Sequence, residues 1–139
     1  MTQSESTIRT RLLEAHPDTL QSVIDAGCSV ATAWPAETVQ EPGAVTDPLE
    51  HLLRKRGLAE DLLGMLQSGT AAIGETVQGR LIPAPPYLVV TSRGPICRGT
   101  MSDGRRLVVL LELFAVQRKP VRYRFRNPTP TELLSVSIR

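Results

Sequence analysis

The chain has 139 residues, a net charge of +2, 41% apolar and 22% charged residues. That is the make-up of one ordinary globular domain, able to bury roughly two-thirds of its unfolded surface. Five aromatic residues leave little material for base-stacking platforms or aromatic ligand cages. The longest apolar run is Leu107 to Leu111, far short of the roughly 18 residues of a spanning helix. The start, MTQSESTIRTRLLEA, has no signal-peptide core. A single cytoplasmic domain without membrane association is expected.

Residues 4–15 have the spacing of a short amphipathic helix, with Ile8, Leu12 and Leu13 on one face and Ser4 or Ser6 as cap. Pro17 opens a second helix over Asp18–Ala26, and Gly27 is its expected stop. Residues 28–46 show no period and contain two prolines, which predicts a loop or arm completing an N-terminal unit of residues 1–46. Trp34 is the one strong anchor there; it either pins the loop to the core or serves as an interface anchor. Asp47-Pro48 is a good helix start for the segment 47–79, and its leucines trace one stripe from Leu49 to Leu66. Either one helix runs to about Gln67 or two meet at Arg56-Gly57.

From Arg80 the period becomes two. Strands are expected over Tyr87–Thr91, Ile96–Met101, Arg106–Val116, Val121–Arg126 and Glu132–Ile138, with Asp103-Gly104 as a hairpin turn. The third is apolar on both faces through Leu111, as a central strand is. Helices first and hairpin-linked strands second predict an α+β fold: N-terminal helices packed on one face of a four- to five-stranded antiparallel sheet or small barrel, the strands forming a meander over 80–139. Leu107, Val109, Leu111 and Leu113 should face the leucine stripe. On that arrangement the first helix, with its thin apolar face, contributes little to stability.

Charge is segregated. Residues 1–79 carry five basic and eleven acidic side chains, and residues 80–139 carry eleven basic and three acidic ones. The split points to an anionic partner, to internal neutralisation, or to the acidic part of one copy meeting the basic part of another. Arginine outnumbers lysine fourteen to two, a bias that also follows from a GC-rich genome. The densest basic element is Val121–Arg126, whose alternation places Val121, Tyr123 and Phe125 on one face and three arginines on the other. With the preceding turn, Arg118, Lys119, Arg122, Arg124 and Arg126 form the candidate surface for an anionic partner.

Catalytic and metal motifs are missing from the pattern. Cys28 and Cys97 lie far apart and are expected to be two buried thiols; with His16 and His51 they lack the close ligand pairs of structural zinc. His16-Pro17-Asp18 resembles the tripeptide of J-domain co-chaperones, but its flanks are too short, and it reads as a helix boundary. No phosphate-binding glycine loop or nucleophile elbow occurs, so no catalytic residue, metal or cofactor is assigned and no small-molecule substrate is evident. The stretch from Pro85 to Arg124, PPYLVVTSRGP followed by DGRRLVVLLELFAVQRKPVRYR, resembles small haloarchaeal proteins of unassigned function. The resemblance implies no activity. The leading function is a non-enzymatic interaction module, a homo-oligomer self-associating through acidic helices and a basic sheet or bound to another protein; the alternative is a nucleic-acid-binding module contacting phosphates through residues 118–126. An enzyme is a third class, which requires a pocket that brings His16 or His51 beside Cys28, Cys97 or a carboxylate.

Overall fold

The computed structural model describes all 139 residues. Helix α1 (Gln3–Ala15) is capped not by a serine but by Thr2, in a reciprocal box with Glu5: the Thr2 hydroxyl accepts from Glu5 N (3.1 Å) and Glu5 Oε1 accepts from Thr2 N (2.7 Å). His16-Pro17 is indeed a helix boundary, because proline has no amide to continue α1 but suits the first turn of α2 (Pro17–Thr32). That helix does not stop at Gly27. A Cβ at Gly27 would lie 3.0 Å from both Leu113 Cδ2 and Phe125 Cε1, so the glycine admits close helix–sheet packing rather than ending the helix.

The expected loop over 28–46 is only partly one. It contains the end of α2, a two-residue strand β1 (Thr38–Val39) and the start of α3 (Gly43–Lys55). Pro48 therefore lies inside α3 rather than at its first turn. Gly57, at φ 71°, separates α3 from α4 (Leu58–Ala71), which decides for two helices: only a residue tolerant of the left-handed region turns the chain so sharply there.

The strands follow as β2 (Leu88–Thr91), β3 (Gly94–Thr100), β4 (Arg106–Leu111), β5 (Phe114–Gln117) and β6 (Arg122–Phe125); then come one helical turn, α5 (Pro130–Leu133), and β7 (Leu134–Ile138). Glu132 lies in that turn, not in the last strand. The long third strand expected over 106–116 is broken at Glu112–Leu113. Glu112 N donates to Leu133 O (2.8 Å), while Leu113 N and Phe114 N both donate to Arg93 O (2.8 and 3.0 Å). The β2–β3 turn can reach these amides because Gly94 lies against Leu111: a Cβ there would collide with the Leu111 carbonyl oxygen.

That break sends the chain into a second sheet. One antiparallel sheet has the order β2-β3-β4-β7 and the other β1-β6-β5; no barrel closes, and β7 returns to pair with β4, so the meander is interrupted. The architecture is α+β. Across the larger sheet Leu88, Cys97, Val109 and Val136 form one row facing the helices, all buried. They join Leu49, Leu53, Leu62 and Leu66 in a single core cluster that also holds Leu107, Leu111 and Leu113. Ile8 and Leu12 of α1 are fully buried in it as well. Gly69 packs on Ile8, and Glu5 Oε2 accepts from Ile138 N (2.8 Å) at the β7 edge. α1 is integral to the fold, contrary to its thin apolar face, because two leucine-sized side chains at full burial contribute more than a count of apolar positions suggests.

Candidate interaction surfaces

The basic strand is the middle strand of the smaller sheet. Tyr123 and Phe125 face inward, and Phe125 packs at a tilt against Phe114 with 5.8 Å between ring centroids. Arg122 and Arg124 are exposed, as are Arg118 and Lys119 in the turn before them. None of these four has a carboxylate within ion-pair distance. Arg126 is different. Its Nη1 donates to Glu112 O (2.6 Å) and Glu132 O (3.3 Å) and lies 3.8 Å from Glu112 Oε2. It ties the β4–β5 break to α5, so it leaves the candidate partner surface.

Trp34 is half-buried on the same sheet's inner side, its ring 5.6 Å from Phe114 and its Nε1–H donated to Ala44 O (3.0 Å). The acceptor matters: Ala44 is four residues before Pro48, whose ring nitrogen has no hydrogen to give it. The indole supplies the missing donor. Both the ring and the N–H of Trp34 are thus engaged within its own chain.

The thiols divide. Cys97 is buried, and desolvation pushes its pKa up to about 12. Cys28 is exposed on α2, against the expectation of two buried thiols, because it sits on the solvent side of a helix longer than expected. Neither is in a disulfide. No cluster of three or more His, Cys, Asp or Glu side chains is placed to hold a metal ion. The carboxylates held below their usual range are structural. Backbone amide donors lower Glu5 (from Thr2, then Ile138), Asp103 (from Arg105) and Glu132 (from Thr129).

A second surface escapes any single-segment reading. An antiparallel sheet covered on one side ordinarily alternates apolar-in and polar-out. Here the outward row, straight across the larger sheet, is Val89, Ile96, Leu110 and Ser135, with Val108 in the next row beside Arg98 and Ser137. These four aliphatic residues are half-buried and belong neither to the buried core nor to the residues packed against it. At one end of this face lie Arg98, Arg106 and Arg139, the last two directly paired across β4 and the residue following β7. The sequence signal was the two-sided apolarity of Arg106–Leu111, which marks a central strand but does not say that its second face lies outside the core.

A family model for a domain of unknown function, DUF7988, matches residues 6–139. The chain belongs to this family. The match takes in both sheets and four of the helices in full, and begins inside the first. No curated protein and no solved structure matches the chain. No helix is long and apolar enough to cross a membrane.

Proposed function

We propose that this DUF7988 chain is a non-enzymatic interaction module that self-associates through the outer face of its four-stranded sheet. The observation that carries the reading is the aliphatic row Val89–Ile96–Leu110 with Val108, half-buried on the side of the sheet away from the core and outside the core cluster. A second copy is the occupant that fits. An aliphatic patch is complementary to itself about a two-fold axis, whereas the helical side of the molecule offers acidic residues: the exposed large apolar side chains are only Met1, Ile82 and Val121. This geometry differs from acidic helices meeting the basic sheet, a contact that would leave the aliphatic row against polar groups.

The magnitude is modest. Four strands about 4.8 Å apart and five residues long give a face on the order of 300 Å² per copy, below the size of a permanent interface. Association should be concentration-dependent and weak. Light scattering up to about 1 mM detects a contact of about −4 kcal/mol. A dimer that persists in high salt and is lost in Leu110→Glu and Ile96→Thr, with helix and sheet content unchanged, supports the reading. A monomer throughout that range overturns it, and a dimer dissolved by salt replaces it with the helix-on-sheet contact.

A second reading rests on Arg118, Lys119, Arg122 and Arg124, exposed together and unpaired. As a phosphate-contacting surface, four cations predict a log–log salt slope near about −3.6 on duplex DNA. Arg122→Glu with Arg124→Glu should abolish binding; no gel shift at low salt eliminates the reading. The resemblance of residues 85–124 to small haloarchaeal proteins adds no activity.

A further inference from the structure

At the arginine end of the larger sheet, beside the segment that leads into β2, the surface closes into a hollow of about 340 Å³ whose polar lining comes from Gln78, Tyr87, Arg98, Thr100 and Arg106. No carboxylate lines it. Arg98 stands diagonally across the β3–β4 pair from Arg106, since Thr100 is the direct partner of Arg106 and Val108 that of Arg98. Diagonal neighbours are within reach of long side chains, and two like charges so placed repel unless something anionic lies between them. Neither arginine has an ion-pair partner.

Arg98 is aimed rather than loose. Its Nε donates to Pro86 O (2.9 Å), which orients the guanidinium plane and leaves both terminal nitrogens without a protein acceptor. Opposite it, Tyr87 O accepts from Arg98 N (2.9 Å). The Tyr87 hydroxyl sits where a side chain at Gly79 would be, 2.5 Å from the Cβ position of that glycine, whose φ is +83°. Gln78 N donates to Thr100 O (2.7 Å), fixing the wall that carries the Gln78 amide. The Tyr87 and Thr100 hydroxyls and the Gln78 amide make no side-chain hydrogen bond within the chain. Two guanidinium groups and three neutral hydrogen-bonding side chains therefore line one hollow with no carboxylate among them.

The geometry points to a binding site for a small phosphate monoester, with its dianionic head between Arg98 and Arg106 and its phosphoryl oxygens also receiving hydrogen bonds from Tyr87, Thr100 and Gln78. Guanidinium matches phosphate bidentately, so two forks suit a dianion better than a singly charged diester or carboxylate. The volume is at the small end of ligand sites, and the single aromatic ring in the lining offers no second face to enclose a base. The occupant is a compact ester or inorganic phosphate rather than a nucleotide. This inference goes beyond the self-association reading and does not rest on it.

Thermal melts and calorimetric titration of the full chain with inorganic phosphate, glycerol phosphate and dimethyl phosphate test the site. Either of the first two at about ten times its Kd should raise the melting midpoint by about 4–6 °C, and dimethyl phosphate should not. Tighter binding of glycerol phosphate than of inorganic phosphate identifies an organic ester as the ligand; equal binding identifies the free ion, and both support the site. Arg98→Lys, which keeps the charge and loses the fork, and Arg106→Gln should each weaken binding about 10- to 100-fold. Arg122→Gln on the other sheet should leave it unchanged. Absence of a midpoint shift and of binding heat with both phosphates overturns the proposal. So does binding that survives the Arg98→Gln, Arg106→Gln double variant, or a dimethyl phosphate response equal to that of the monoesters.

Discussion

The contact between Trp34 and α3 offers a quantitative test of how this chain tolerates a proline inside a helix. Pro48 removes the amide that would bond Ala44 O, and its ring crowds that carbonyl. The Trp34 Nε1–H occupies the vacant acceptor at 3.0 Å. Trp34→Phe keeps an aromatic ring near Phe114 and deletes only the donor and part of the ring. A bare acceptor costs about 1–3 kcal/mol when fully buried; Ala44 is half-buried, so about 1 kcal/mol belongs to the lost bond and the rest of the effect to lost ring contact. Pro48→Ala restores a backbone donor to Ala44 O. In that background Trp34→Phe should cost only the ring contact. The double-mutant cycle should therefore give a coupling of about 1 kcal/mol, clear of the few tenths expected for independent sites. Urea unfolding followed by far-UV circular dichroism is the assay, since the fluorescence of the only tryptophan disappears with the substitution. If Trp34→Phe costs the same in the presence and absence of the Pro48→Ala substitution, the indole is not standing in for the missing amide and the argument fails.

Three further outcomes follow from burial and titration. Leu111→Ala removes a fully buried side chain at the centre of the core and should cost about 2–5 kcal/mol; deletion of residues 1–15, which removes Ile8, Leu12 and the Glu5–Ile138 bond, should be at least as damaging in thermal melts. A truncated chain that melts near the full-length midpoint would contradict the placement of α1 in the core. A thiol reagent should modify one cysteine in the native protein, Cys28, and reach Cys97 only on unfolding, whereas two fast equivalents would mean that β3 is open to solvent. Desolvation, and secondarily Arg11, lower the His16 pKa below 6.5, with Asp61 opposing, and its Nε2 is buried without a partner. The folded state thus favours neutral imidazole, and its contribution is fully present above pH 6.5 and lost as pH falls below it. His16→Gln should flatten that limb, leaving the further loss below pH 4.5 that belongs to Glu5 and Glu132, whose depressed folded pKa values favour the charged form.

Periodicity and turn chemistry were enough to read the class of the fold, helices ahead of the main run of strands, the boundary at His16-Pro17, the hairpin at Asp103-Gly104 and the inward set Leu107, Val109 and Leu111. Each is a local preference or a face pattern that only one side of an element can satisfy. What local pattern could not decide turns on contacts between distant segments. Gly27 looks like a helix stop until Leu113 and Phe125 are seen against it, and Pro48 looks like a helix start until Trp34 is found bonding Ala44. Residues 106–116 look like one strand until Arg93 O takes the amides of Leu113 and Phe114 and turns the chain into a second sheet. The same holds for function-bearing surfaces. Arginine alternation in Arg122–Arg126 marked a basic face, but only the fold shows Arg126 consumed by Glu112 and the backbone of α5. Arg98 and Arg106 are inconspicuous in sequence. They become a pair because antiparallel register sets them diagonally on β3 and β4, a relation between residues that no window along the chain contains.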